Sequence, residues 1–211
     1  MKYIIMCGGQ YRFVNGQPRQ LLEINGEPIV ARTIRLLREY RVEDIAISSN
    51  NPVFEKFGVP VIKDENNTFG QGGMWIDGFV PTDKPTCFIF GDVVFSPEAI
   101  KEIVENETDD IEFFASAPPF SESYIKSWAE PFAFKVSAPW KFRRCINTCK
   151  ELARQGAFQR EPIAWELWQV IKKTPLNVID YKNCHIINDY TCDVDCEQDL
   201  MKMREVLNAG G

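Results

Sequence analysis

The sequence lacks any apolar run near the roughly 20 residues that a membrane-spanning helix needs. It also lacks an excess of positive charge: the formal net charge is -6, which argues against a surface built for DNA or RNA. The opening segment MKYIIMCGG is too short, and too soon interrupted by glycines, to be a signal peptide. These absences predict a cytoplasmic protein with no membrane span and no nucleic-acid polymer as a partner.

A disulfide framework is also not expected, because the seven cysteines are odd in number and lie mostly in apolar patterns. Cys184, His185, Cys192 and Cys196 fall within thirteen residues, and a zinc site there is one alternative. However, no C-x-x-C pair is present and the spacings match no common zinc-ligand pattern. Buried, reduced thiols are therefore the preferred interpretation.

What the sequence does contain is the pattern of one globular α/β domain over all 211 residues, with 45% apolar and 26% charged residues. Apolar runs that resemble strands alternate with patterns of helical period. The predicted strands are 2–6, 44–49, 59–64, 86–92, 111–117, 130–137 and 176–181. The predicted helices are 28–40, 72–80, 96–105, 141–156, 161–173 and 196–211. This alternation predicts a three-layer α/β/α sandwich around a mostly parallel, Rossmann-like sheet.

The loop after the first strand combines glycines and arginines in the segment CGGQYRFVNGQPRQ. In an open parallel sheet, ligands bind beyond the carboxyl ends of the strands, where this loop lies. Gly8 and Gly9 would let the backbone approach a phosphate closely, and Arg12 and Arg19 could donate charge-assisted hydrogen bonds to phosphate oxygens. Neither a G-x-G-x-x-G fingerprint nor a Gly-Lys-Ser/Thr loop is present.

The order and spacing of residues in this region resemble the MobA-like and sugar-phosphate-type NTP transferase family. That family has a first strand, a Gly-rich loop with an arginine, a Pro-Lys pair and a Leu-Leu…Gly-x-Pro stretch that enters a helix. The matching residues are Gly8, Gly9, Arg12, Pro18, Leu21, Leu22, Gly26 and Pro28. The family lysine after Pro18 is here Arg19, which keeps the charge and adds a fork of donors.

The resemblance implies a nucleotide-diphospho-sugar transferase fold of the GT-A-like type. Its nucleotide-binding half would span about residues 1–115 and its acceptor-binding half about residues 116–211. It also implies that Arg12 and Arg19 are catalytic and that the nucleotide is held by two Gly-rich segments. The residues implied in nucleotide binding are Cys7, Gly8, Gly9, Gln71, Gly72 and Gly73.

Two aspartates match the family's metal ligands. Asp92 ends the apolar strand run in IFGDVVF, and a carboxylate is costly there unless a cation pairs with it. Asp195 lies in CDVDCEQDL, with Asp193 as the alternative. By its own sequence, Asp195 could instead cap a helix, with Gln198 three residues later. The implied metal is Mg²⁺, whose preferred ligands are hard oxygen atoms.

Lys135 and Arg160 are the predicted cationic contacts of the acceptor's phosphate, by analogy with the family. The implied function is a Mg²⁺-dependent nucleotidyltransferase, acting as a monomer or homodimer. It would join a nucleoside triphosphate to a phosphorylated small molecule, such as a sugar, polyol or choline phosphate, and release pyrophosphate.

Two other functions stay open from the sequence. A glycosyltransferase could use Asp193-Val194-Asp195 as an Asp-x-Asp metal motif, although that motif normally follows a central strand. A non-catalytic nucleotide-binding regulator is the other alternative.

Overall fold

The protein is described by a computed structural model that covers residues 1–8, 13–14, 17–63, 73–116, 129–179 and 181–209. Within these residues the strands, in chain order, are β1 (Lys2–Met6), β2 (Phe13–Val14), β3 (Gln17–Pro18), β4 (Glu23–Ile24), β5 (Glu27–Pro28), β6 (Ile45–Ser48), β7 (Val61–Ile62), β8 (Thr86–Phe90), β9 (Val93–Val94), β10 (Ile111–Ala115), β11 (Pro131–Val136), β12 (His185–Ile186) and β13 (Cys192–Asp193). The α-helices are α1 (Ile29–Glu39), α2 (Pro97–Glu105), α3 (Pro139–Arg154), α4 (Ala164–Lys172) and α5 (Glu197–Ala209). Short 3-10 helices span Arg19–Leu21, Pro52–Phe57 and Trp75–Gly78.

The central sheet has seven strands in the order β12-β10-β11-β8-β1-β6-β7. β1 pairs in parallel with both β6 and β8, and the pairs β6–β7 and β10–β12 are also parallel. Only β11 runs against its two neighbours in this sheet. The predicted mostly parallel sheet is confirmed. Three small antiparallel ribbons lie outside it: β9 with β13, β2 with β3, and β4 with β5.

Two neighbouring residues of β11 show that helices cover both faces of the sheet. The ring of Phe134 packs against Phe142 of α3 and Trp168 of α4, with 5.5 and 6.2 Å between ring centroids. The next residue, Lys135, donates from Nζ to the carbonyls of Ile103 and Val104 in α2, at 2.8 and 2.9 Å. Because successive side chains of a strand point to opposite faces, α2 lies across the sheet from α3 and α4.

The face beneath α3 and α4 is filled with aromatic rings. Phe113 stacks on Phe134 at 4.4 Å between ring centroids, and Phe79 meets Phe142 edge to face at 5.1 Å. Trp165 and Trp168 of α4 are almost completely buried in this layer. Such pairs contribute beyond the area they bury, so this side of the core fixes the position of α4. No helix in the described residues is long and apolar enough to cross a bilayer.

The predicted strand 176–181 is wrong. The described residues of this segment form no strand, and the side-chain amide of Gln169 donates to the carbonyls of Pro175 and Val178 instead. These carbonyls therefore accept from a side chain of α4 instead of joining a ladder. The strand of this region is β12, whose His185 pairs with Phe114 of β10.

The amino group of Lys135 closes the carboxyl end of α2, since it also donates to the Asn106 carbonyl. Lys135 is 5% exposed, so replacing it with methionine would leave buried carbonyls without a donor. We expect Lys135→Met to lower the free energy of unfolding by about 2 kcal/mol. Urea denaturation measures this, with Lys101→Met on the exposed side of α2 as the matched control. Equal stability of the two variants would contradict the capping role.

Gly91 directly follows β8 and lies against the end of β1, where its amide donates to the Met6 carbonyl at 3.1 Å. A Cβ atom there would stand 2.5 Å from the Met6 carbonyl oxygen and 2.7 Å from Cys7 Sγ. Because the first neighbour is backbone, we expect Gly91→Ala to cost about 2 kcal/mol of stability. Gly78→Ala is the matched control, since its Cβ would meet only the flexible Cε of Met6, at 3.4 Å. Thermal unfolding compares the two, and similar melting temperatures would refute the close-approach explanation.

Candidate functional site

A cleft of about 670 Å³ opens at the carboxyl ends of β1 and β8. The two strands are parallel neighbours whose last residues, Met6 and Phe90, pair with each other. Gly8 and Asp92 therefore leave the sheet side by side, where open α/β sheets bind ligands. The lining residues are Met6, Gly8, Arg19, Gln20, Trp75, Gly78, Phe90, Asp92, Ala129, Glu130, Pro131, Arg160, Glu161, Ile163, Trp165, Tyr181, Asp193 and Asp195.

Arg19 occupies the centre of the polar wall of the cleft. It begins the 3-10 helix that follows Pro18, and its Nη2 lies 2.7 Å from Asp92 Oδ2. Its Nη1 contacts Asp195 Oδ1. Burial acts to lower the pKa of Arg19, but the carboxylates of Asp92, Asp195 and Asp193 outweigh it and raise the pKa overall. The guanidinium is thus a permanent positive charge that bridges two of the predicted site residues.

Three carboxylates of this wall, including Asp195 of the bridge, are close enough to share a cation. One oxygen each from Glu130, Asp193 and Asp195 lies within 4.8 Å of the other two. Glu130, at the entrance to β11, is 7% exposed and was not predicted. Its position directly before an apolar strand, in AEPFAF, does not distinguish it from a surface carboxylate. Oxygen ligands of this kind fit a hard divalent ion such as Mg²⁺.

A short two-stranded ladder places Asp193 and Asp195 at the cleft. β13 pairs with β9, so that Asp193 lies opposite Val93, and the Val194 amide donates to the Asp92 carbonyl at 3.0 Å. A second small core anchors this ladder to α5 and to the segment after Arg19. Its members are Leu22, Ile24, Ile29, Val94, Cys192, Val194, Leu200 and Met203.

Asp195 contacts the cleft through its side chain and the start of α5 through its backbone. Its carboxylate contacts Arg19, while its amide donates to Asp199 Oδ2 at 3.0 Å near the start of α5. The side chain is therefore directed to the cleft, and Asp199 satisfies a backbone donor at the helix entry.

The glycine-rich segments are only partly described. Gly8 lines the cleft, whereas Gly9, Arg12, Gln71 and Gly72 lie outside the described residues. Gly73 is described but does not line the cleft.

The Cys7 side chain is completely buried beneath the cleft, and the Cys7 amide donates to the Ser48 carbonyl at 2.9 Å. Burial, and then the charge of Asp92, raises the pKa of the Cys7 thiol well above its ordinary value. Cys7 therefore packs beneath the site and does not line the cleft.

Among the predicted acceptor residues, the structure separates Arg160 from Lys135. Arg160 lines the cleft, and its Nε donates to Glu166 Oε1 at 2.6 Å. Glu166 is buried, and its Oε2 accepts from the Ile163 amide at 3.0 Å, which closes the first turn of α4. Lys135 does not line the cleft. Its role at the end of α2 corrects the prediction that it binds the acceptor.

Aromatic side chains and a backbone contact line two further sides of the cleft. The Trp75 amide donates to Glu161 Oε1 at 2.8 Å, and the Trp75 ring packs edge to face on Phe90. On the other side, Trp165 meets Tyr181 edge to face at 4.9 Å between ring centroids. The cleft therefore combines a charged wall near Arg19 with aromatic walls near Arg160.

Residues of the cysteine and histidine cluster that was considered for zinc make other contacts. His185 Nε2 lies 2.8 Å from Glu102 Oε2, and Cys192 is buried in the second core. All seven cysteines are free thiols.

Comparison with known proteins identifies the family. Residues 3–161 match the sequence model of the MobA-like NTP transferase domain. A molybdenum cofactor guanylyltransferase of Shewanella putrefaciens is 34% identical over 68 residues, which are 31% of this chain. Its counterpart in Shewanella baltica matches over the same length at the same identity. The matched region spans about a third of these relatives, 34% of their length.

Solved structures show the same fold at low sequence identity. The CTP:phosphocholine cytidylyltransferase of Streptococcus pneumoniae superimposes with a TM-score of 0.57 and 16% identity, over 98% of both chains. The inositol-1-phosphate CTP transferase of T. maritima gives a TM-score of 0.57 and 14% identity, over 97% of this chain and 95% of that one. The fold is that of the nucleotide-diphospho-sugar transferases. With the family model matched over residues 3–161, the chain belongs to the MobA-like NTP transferase domain family.

Proposed function

We propose that this protein is a Mg²⁺-dependent nucleotidyltransferase that joins a nucleoside triphosphate to a phosphorylated small molecule. The observation that carries the proposal is the convergence of Arg19, Asp92 and Asp195 in one cleft at the carboxyl edge of the sheet. These residues come from three distant parts of the chain. A charge arrangement of this kind suits the binding of a polyphosphate and a divalent ion.

The reaction is a displacement at phosphorus. An oxygen of the acceptor's phosphate forms a bond to the α-phosphorus, the bond from the α-phosphorus to the bridging α–β oxygen breaks, and pyrophosphate leaves. Alignment and neutralisation of charge supply most of the catalysis in such a reaction. Arg19 and Arg12 would stabilise charge on the triphosphate, and the backbone of the Gly8–Gly9 loop would approach its phosphates.

Asp92 and Asp195 would hold Mg²⁺ next to the phosphates, with Glu130 and Asp193 completing the acidic wall. The bound ion would neutralise charge that develops on the α-phosphate and on the leaving pyrophosphate. Gly72 and Gln71 would contact the base and sugar. Because the Shewanella relatives are guanylyltransferases, GTP is the first nucleotide to test.

The acceptor would lie between the acidic wall and Arg160. Arg160 lines the cleft, and its Nε is held by a buried carboxylate; among the described residues, its Nη groups have no hydrogen-bond partner. Those groups could donate two parallel hydrogen bonds to a phosphate. Residues 129–181 would thus supply most of the acceptor side.

A second candidate is transfer from a nucleotide-sugar, because Asp193 and Asp195 both reach the acidic group as an Asp-x-Asp motif would. The two functions differ in product: hydrolysis or transfer of a nucleotide-sugar without pyrophosphate chemistry would favour the glycosyltransferase.

Pyrophosphate release with Mg²⁺ tests the proposal directly. The purified protein would be assayed with GTP, CTP, UTP, ATP and TTP against phosphocholine, inositol-1-phosphate, glucose-1-phosphate and molybdopterin. We expect one nucleotide and acceptor pair to turn over, and Asp92→Asn to lower kcat by about 100-fold or more. The absence of turnover, with no nucleotide-induced rise in melting temperature, would refute the proposal. Nucleotide-induced stabilisation without any product would indicate a binding regulator.

The acceptor role of Arg160 predicts a selective effect on KM. Arg160→Gln keeps a donor for buried Glu166 but removes the paired donors for a phosphate. We expect the KM of the acceptor to rise about tenfold and that of the nucleotide to change little. Arg143→Gln is the control, because Arg143 is an exposed arginine paired with Asp83. A matching rise in the KM of the nucleotide would contradict an acceptor-specific role.

A further inference from the structure

We propose that Arg19 competes with the divalent ion for Asp92 and Asp195, so that the metal binds tightly only when phosphates draw the guanidinium away. This inference rests on the proposed function in one respect: it takes Asp92 and Asp195 to be the metal ligands. It adds an order of events, in which the nucleotide's phosphates and the metal enter together.

The geometry of the bridge carries the inference. Two different nitrogens of one guanidinium face two carboxylates, Nη2 toward Asp92 and Nη1 toward Asp195. The Arg19 side chain is 15% exposed, against 20% for Asp92 and 35% for Asp195. A cation in this position neutralises both carboxylates and uses oxygens that a metal would need.

Arginine suits this task because of its shape. A planar fork reaches two acceptors at once, whereas the single ammonium of a lysine is a compact point charge. Arg19 therefore gives the cleft a cation that contacts Asp92 and Asp195 at once, which a lysine could not reproduce.

Two cations cannot share these oxygens without cost, because their mutual repulsion in a partly buried cleft is weakly screened. A metal alone must therefore displace Arg19 and leave its charge without a partner. Phosphate oxygens offer the guanidinium an equivalent partner through charge-assisted bonds. Binding of the phosphates and of the metal should then favour each other, and this coupling is reciprocal.

The experiment measures binding of Mn²⁺ alone, without nucleotide, by isothermal titration and by the electron paramagnetic resonance signal of free Mn²⁺. We expect weak binding to the wild-type protein and about tenfold tighter binding to Arg19→Gln, because the competing charge is gone. Arg19→Lys should fall between the two. Arg143→Gln should behave like the wild type.

A double variant tests whether the tighter Mn²⁺ binding depends on Asp195. In the double variant Arg19→Gln/Asp195→Asn, the gain in Mn²⁺ affinity should be lost. A further readout is the melting temperature: Mn²⁺ should raise that of Arg19→Gln more than that of the wild type, since a ligand stabilises in proportion to its affinity. Arg19→Lys keeps a positive charge in the cleft and tests the inference if Arg19→Gln does not fold.

Several results would overturn the inference. Tight Mn²⁺ binding to the wild-type protein would mean that Glu130, Asp193 and Asp195 bind the ion while Arg19 stays in place. Equal or weaker binding by Arg19→Gln would mean that Arg19 supports the metal site. Because no substrate is present, tighter Mn²⁺ binding by Arg19→Gln would stand even if the nucleotidyltransferase assay failed.

Discussion

The partly buried charge of Arg19 joins the beginning, middle and end of the chain. A guanidinium that is 15% exposed requires carboxylate partners, and the fold supplies one after β8 and one after β13. The ribbon of β9 and β13 and the small core beneath it place these carboxylates within reach. The charged wall of the cleft therefore depends on contacts between residues that lie far apart in the sequence.

The opposite wall is organised by a second buried charge. Glu166 is 3% exposed and satisfies both the start of α4 and Arg160. The aromatic layer under α4 keeps that helix against the sheet, so the orientation of Arg160 follows from packing that is far from solvent. The two walls differ in character: one is made of acidic side chains at or next to the ends of strands, the other of aromatic rings and an arginine supported by a helix.

Most strands and their parallel arrangement could be predicted from the sequence, because long apolar runs indicate buried strands. The pair Asp92–Asp195 was suggested by the resemblance of the loop residues to a known family. Glu130 was not, because nothing local distinguishes a carboxylate before a strand from a surface residue. The prediction for Lys135 failed because the sequence of a strand does not show which face of the sheet a lysine occupies. In the structure, Phe134 points to α3 and α4, so the next residue, Lys135, points to α2 on the opposite face. The false strand at 176–181 arose because the apolar residues of LNVIDY suggest a strand, whereas the Gln169 amide takes the carbonyls that a ladder would need.

The pairing of β13 with β9 also has a consequence for folding. Asp193 lies opposite Val93, which is 100 residues earlier in the chain, so this contact closes a very long loop. Contacts of such separation form slowly, and this ribbon consists of two residue pairs. Opening of this ribbon alone would carry Asp195 away from Arg19 while the seven-stranded sheet stays intact. We therefore expect the charged wall to assemble after the seven-stranded sheet has formed.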